Sequence, residues 1–248
     1  MTWITRVGAE AGTAWRSFLR RRTAVFFTFG FPLILVGIFG AVVQTNPTGG
    51  GLFGHPTGFY VPGYLAIIVL FTPLSRIGSS IARCRDGSRF EKLSTTPLNR
   101  GEWLAAHTLV NIGIILLASA IVLGVLELLA ETSFSLSPLL LPFIVLAVVV
   151  FCGVGALLGR VADSQDGVIA ASNAVALPLV FLSETFITPD MLPGWFRPAI
   201  GLSPLTYFAR GVRNATYIHQ SVWPDLLILA ALAGVFFVVG AYAVPQSD

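Results

Sequence analysis

Apolar and polar positions fall in long blocks along this chain. Six apolar blocks stand out, at 24–43, 59–81, 103–126, 139–159, 168–187 and 226–244. Each is close to the ~20 residues that a helix needs to cross a bilayer. The pattern predicts an all-α integral membrane protein of six transmembrane helices, forming one domain over residues 1–248. Ahead of the first block, residues 1–22 place Trp3, Val7, Ala11, Ala14 and Phe18 at helical spacing, with Arg6, Glu10, Arg16 and Arg20 off that stripe. This predicts an amphipathic helix lying in the membrane interface.

Two stretches break the rhythm. Residues 83–102 hold eight of the chain's charged residues, against a total of 15 Lys/Arg and 12 Asp/Glu. Within them 89–93 reads as a short helix, closed by the Thr95-Thr96-Pro97 that follows, because the residue before a proline is pushed out of the helical region. Residues 187–224 are apolar but interrupted by Pro189, Pro193, Pro198 and Pro204. A broken helix facing lipid would leave backbone groups unsatisfied. The stretch is therefore read as short helices at the outer interface, with Trp195, Phe196, Tyr207 and Phe208 at headgroup depth.

Composition agrees. The chain is 55% hydrophobic and 11% charged, far less charged than a soluble domain. Its basic residues set the orientation: twelve fall in the segments joined to 83–102 and to the N-terminus, and only Arg197, Arg210 and Arg213 fall in the opposite ones. By the positive-inside rule both termini and the 83–102 loop are cytoplasmic, and 44–58 and 188–224 are outside. The net charge of +3 is accounted for by this bias and does not argue for nucleic acid. Gly153, Gly155 and Gly159 are expected to allow close helix contact.

Candidate chemistry is sparse. Zinc-protease, nucleophile-elbow and P-loop patterns are all missing from the sequence. Cys84 and Cys152 are not expected to pair. His107 is expected to hydrogen-bond a neighbouring helix. Arg76 is expected to snorkel to the interface. Glu127 and Glu184 are placed near outer helix ends, so midplane carboxylates of an ion-coupled carrier are not evident.

Two motifs carry a resemblance. The cytoplasmic one comprises Arg85, Gly87-Ser88, Glu91, Leu93 and Thr96-Pro97, with the acidic residue shifted by about one place from the family's pattern. The outer one comprises Pro189, Leu192-Pro193-Gly194-Trp195, Pro204-Leu205-Thr206-Tyr207, and Arg210 or Arg213. In order and spacing the chain resembles the membrane subunits of type-2 ABC exporters, the ABC-2 permease family. Ser183-Glu184 departs from the family's frequent Ser-Gly.

The resemblance implies a multi-pass subunit of a prokaryotic plasma membrane that exports a substrate and is itself no enzyme. ATP and Mg²⁺ would be held by a separate ABC ATPase, two copies of which would join two permease subunits, as a homodimer or heterodimer. It implies a coupling role for Arg85, Gly87, Arg89, Phe90, Glu91, Leu93 and Pro97, with Phe90 and Leu93 as apolar anchors for the ATPase. It places Pro189, Pro193, Trp195, Phe196, Pro204, Tyr207 and Arg213 on the exit path. A secondary carrier, or a structural or regulatory membrane protein without an ATPase, is the alternative.

Overall fold

A computed structural model describes residues 2–38, 57–129, 135–185, 193–195 and 197–245. The described residues are helical, without strands. In order they are α1 (Trp3–Leu19), α2 (Arg22–Gly37), α3 (Val61–Asp86), α4 (Arg89–Ser94), α5 (Arg100–Leu129), α6 (Leu140–Val161), α7 (Gln165–Phe181), α8 (Arg197–Ile200), α9 (Pro204–Arg213) and α10 (Trp223–Ala243). A short 3-10 turn, Thr57–Tyr60, precedes α3, and a π-type turn, Asn214–Ile218, follows α9.

Four of these helices are long and apolar enough to cross a membrane: those over Gly58–Asp86, Arg100–Leu128, Leu140–Val161 and Trp223–Ala243. The first and sixth sequence blocks differ in outcome. The last becomes α10, whereas α2 is described only to Gly37 and residues 39–43 lie outside the described part. The fifth block yields α7, at 17 residues shorter than expected. The expectations for 44–56, Ile187, Pro189, Leu192 and Phe196 also fall outside the described residues.

The helix α6 packs against both α3 and α10, and glycines let them approach. A Cβ added at Gly155 would stand 2.6 Å from the Leu74 carbonyl oxygen, and one at Gly159 would stand 2.8 Å from Gly78. A Cβ added at Gly240 would stand 2.7 Å from Gly153 Cα, and one at Gly153 would collide with the Phe236 backbone. Gly153, Gly155 and Gly159 are the glycines the sequence marked for close contact, and Gly78 and Gly240 are their partners across the seam. Without a hydrophobic effect between helices in lipid, such van der Waals contact is what holds them. Around the seam Leu65, Leu70, Phe143, Phe151 and Phe208 are fully buried.

Two departures from expectation concern the same end of the bundle. The helix α3 continues to Asp86, so Cys84 lies buried in its last turn rather than in a loop. The connection between α3 and α5 thus shrinks to residues 87–99, with the six-residue α4 within it. The helix α1 also differs. Arg6 meets Glu102, Glu10 meets His107, and Ala14 and Phe18 pack with Val110 and Ile114. Equal steps along both chains mean that α1 runs beside α5 in the same direction. Arg6 and Glu10, assigned to the outer face, flank the buried stripe one turn apart.

Candidate functional site

At the α4 end the chain reverses within a few residues. Gly87 closes α3 through a hydrogen bond from its N–H to the Arg83 carbonyl at 3.2 Å. Ser88 then adopts a left-handed conformation, φ 48°, uncommon for a residue with a side chain. The six-residue helix α4 follows and ends at Thr95, whose hydroxyl donates to the Lys92 carbonyl at 2.8 Å. The start of α5 is locked by reciprocal hydrogen bonds: the Glu102 N–H donates to Asn99 Oδ1 at 2.8 Å, and the Asn99 N–H to Glu102 Oε2 at 3.1 Å. This is a capping box with asparagine as the cap.

Other arginines at this end cap helix C-termini, whose last carbonyls have no partner within the helix. Arg85 donates to the Ala162 carbonyl at 2.5 Å, Arg160 to that of Ala243 at 3.4 Å and Arg100 to that of Tyr242 at 3.4 Å. The ends of α6 and α10 are thereby tied to the α3–α5 connection.

The predicted coupling residues divide by exposure. Arg89, Glu91 and Lys92 are exposed on α4, and Gly87 and Pro97 flank it in solvent. Leu93 is half-buried. Phe90 is a correction. It is only 3% exposed and packs edge-on against Trp103, with ring centroids 5.8 Å apart. It anchors α4 to α5 within the chain, so it is not offered outward as a plug for a partner. Beside it a cleft of about 570 Å³, lined by Phe90, Leu93, Pro97, Arg100, Trp103 and Pro245, opens between the connection and the end of α10.

Trp103 also stacks on His107 at 4.0 Å, and His107 Nε2 lies 3.1 Å from Glu10 Oε1. His107 thus bonds a neighbouring helix, as expected. The bond to His107 holds the Glu10 carboxyl below its ordinary value, outweighing partial burial. Arg6 forms a close ion pair with Glu102, and its guanidinium is held above its usual range by that hydrogen bond.

At the opposite end, α9 begins with Pro204 at its first turn and buries Leu205, Phe208, Ala209 and Val212 against the bundle. Phe208 is fully buried rather than interfacial, whereas Trp195 is 80% exposed and Pro193 is exposed beside it. The Tyr207 hydroxyl donates to the Gly201 carbonyl at 2.8 Å, pinning α8 to α9. Arg213 is buried over the Phe59 ring, 4.1 Å from its centroid, and donates to the carbonyls of Glu184 at 2.7 Å and Phe59 at 3.4 Å. Burial pushes its guanidinium down to about 10. Arg210 donates to Asp225 Oδ1 at 2.5 Å and lies 3.6 Å from Glu184. Burial holds the Glu184 carboxyl above its ordinary value, opposed by both arginines.

Sequence reasoning did not single out Asp225, Glu102 or Glu10. Glu102 and Asp225 are lone carboxylates at the edges of apolar blocks, and Glu10 lies within the amphipathic N-terminal helix. The partner of each lies at least 15 positions away in the chain, so no local spacing advertises it.

A profile of the ABC-2 type transporter family matches residues 9–217. The chain is 28% identical over 194 residues to the daunorubicin resistance ABC transporter permease protein DrrB1 of Streptomyces coeruleorubidus. That alignment covers 75% of this chain and 68% of the relative. It is 27% identical over 188 residues to the inner membrane transport permease YhhJ of Escherichia coli K12, which covers 71% of this chain. It spans about half of YhhJ's length, at 49%. The match runs from within α1 through α9, taking in both the α4 connection and the proline-interrupted region, and the chain belongs to the ABC-2 type transporter family.

Proposed function

We propose that this chain is the permease subunit of an ABC exporter, in which α4 receives the stroke of a separate ATPase. The observation that carries the reading is α4 itself. It is a short charged helix at the tip of the α3–α5 hairpin, with Arg89, Glu91 and Lys92 exposed and Phe90 rooted on Trp103. A helix tied so closely to two long helices moves them when it is pushed. Hydrogen bonds from Arg85 and Arg100 extend that linkage to α6 and α10.

On this reading α2 and α7 complete a set of six spans, and both termini and α4 lie in the cytoplasm. The α8–α9 region lies outside, where Pro193, Trp195 and Tyr207 border the exit path. Nucleotide and Mg²⁺ belong to the ATPase, and two permease subunits pair around the cargo.

The test is affinity purification of the full chain from its native membranes. A stoichiometric P-loop ATPase should accompany it, with ATP hydrolysis in the complex and none in the stripped chain. Hydrolysis by the stripped chain, or its isolation without any ATPase, contradicts the proposal.

A further inference from the structure

A second cavity at the α4 end, about 610 Å³, lies between α1, α3, α4 and α5. Five cations line it: Arg21, Arg76, Arg83, Arg89 and Lys92. One carboxylate faces them, Glu10, and it is already engaged by His107. The imbalance has a helical basis. Arg76 and Arg83 are seven positions apart on α3, with Ser79 and Ser80 between them, so one face of the helix presents guanidinium, hydroxyls and guanidinium in succession. Arg83 is positioned by Ser80 at 3.0 Å and Gln165 at 3.4 Å. Arg76 rests on the Phe18 ring at 4.6 Å, and its Nη1 is buried without a hydrogen-bond partner among the described residues.

Depth identifies the layer in which this charge sits. The helical stretch Gly58–Asp86 has 29 residues, about 43 Å at 1.5 Å per residue. That exceeds the ~30 Å hydrocarbon core by about 13 Å. The charges of α3 all lie in its α4-side half, from Arg76 onward, so the excess projects on that side. It sets Arg76 near the hydrocarbon edge and Arg83 in the headgroup layer. Trp103, an interfacial residue type, forms part of the wall. The wall also includes Ala14, Phe18 and Ala24, and α2 continues from Ala24 with Phe26, Phe27 and Phe31 exposed.

We propose that this cavity binds the phosphate headgroup of an anionic phospholipid from the leaflet on the α4 side. Guanidinium pairs and hydroxyls are the groups that recognise a phosphate, and basic pockets at the membrane surface of transmembrane bundles take such headgroups. The phosphate sits between Arg76 and Arg83, the glycerol meets Phe18, and the acyl chains run along the exposed phenylalanines of α2. The bound lipid bridges α1 to α3 and α4, which tunes how firmly α4 is held. The inference rests on α3 and α5 crossing the membrane and not on the ATPase reading.

The test uses the full chain in a mild non-ionic detergent, titrated with phosphatidylglycerol and followed by native mass spectrometry. Phosphatidylcholine and inorganic phosphate are run in parallel. Phosphatidylglycerol should be retained in preference to phosphatidylcholine by about tenfold in affinity, and millimolar phosphate should not displace it. The double variant Arg76→Gln, Arg83→Gln should lose that preference. Arg20→Gln, Arg22→Gln, which removes two exposed cations outside the cavity, should keep it. Should the first variant fail to give a monodisperse peak, Arg89→Gln, Lys92→Gln at the cavity mouth carries the same expected loss. Four results overturn the proposal: equal retention of both lipids, an unchanged preference in the cavity variants, displacement by inorganic phosphate, or displacement by the ATPase. The third would mean a free-ion site, and the fourth a seat for an acidic segment of the partner.

Discussion

The two ends of the bundle handle positive charge in opposite ways. At the α9 end Arg210 lies between Asp225 and Glu184, and Arg213 is spent on backbone carbonyls. At the α4 end Arg85, Arg100 and Arg160 are spent in the same manner on helix ends, but five further cations face a cavity holding a single carboxylate. Among the described residues the first arrangement is satisfied within the chain. The second holds α4 by an apolar contact, Phe90 on Trp103, and leaves its charge for something outside the chain. In a transporter this is a sensible division: one end keeps its shape, and the other receives partners.

The largest effect that would break the contrast is loss of the apolar root. Phe90→Ala should cost about 3 kcal/mol where the ring is buried, read as a lowered Tm in detergent together with faster proteolysis near residue 94. If Tm is unchanged, Phe90 is not the anchor. Removing charge at the other end comes next. Arg210→Ala strands Asp225, which is buried, although Arg210 itself is 41% exposed. The discounted cost is about 2 kcal/mol, and Arg210→Lys should recover part of it. A variant as stable as the parent would mean the α9 end is not held by charge.

A smaller effect is pH-dependent. The Glu10 carboxyl titrates below its ordinary value of 4.5 in the folded chain. A depressed carboxylate contributes stability that is complete above 4.5 and disappears as pH falls through the folded value. Docking of α1 on α5, followed by Trp15 fluorescence, should therefore hold at neutral pH and weaken below that point. Glu10→Gln should weaken the dependence, and the remainder belongs to Glu102, whose carboxyl the Arg6 hydrogen bond also holds below its ordinary value. The smallest stability change is expected at Trp195. Trp195→Ala should alter Tm by no more than the ~0.5 kcal/mol typical of surface positions, yet lower export if the residue borders the exit path. Normal export at a normal protein level would leave Trp195 as an interfacial anchor.

How much was legible follows from where the information lay. Apolar blocks of near-span length are a local signal, so α3, α5, α6 and α10 were readable, as was the α4 helix with its proline stop. The glycines of α6 were readable because their spacing sets them on facing ridges. The direction of Phe90 was not. Its i, i+3 partnership with Leu93 defines a face but does not say whether that face meets α5 or a separate protein. Trp103 decides it, and only the fold brings Trp103 to 5.8 Å. The docking of α1 on α5 was not legible for a related reason. Arg6 and Glu10 look solvent-directed until Glu102 and His107 appear opposite them. The basic cavity needed Arg21, Arg76 and Arg89 together, contributed by α3, α4 and the segment after α1.

The account turns on α4 as the seat of the ATPase. The direct test replaces residues 89–94 by a Gly-Ser linker of equal length and measures co-purifying ATPase against the parent chain, with membrane insertion checked alongside. Insertion should be unchanged, because the apolar blocks and the flanking arginines Arg83, Arg85 and Arg100 remain. Retained ATPase should fall by at least about tenfold, the scale expected when one central anchor is removed from an interface. An inserted variant that holds its ATPase as firmly as the parent would contradict the claim.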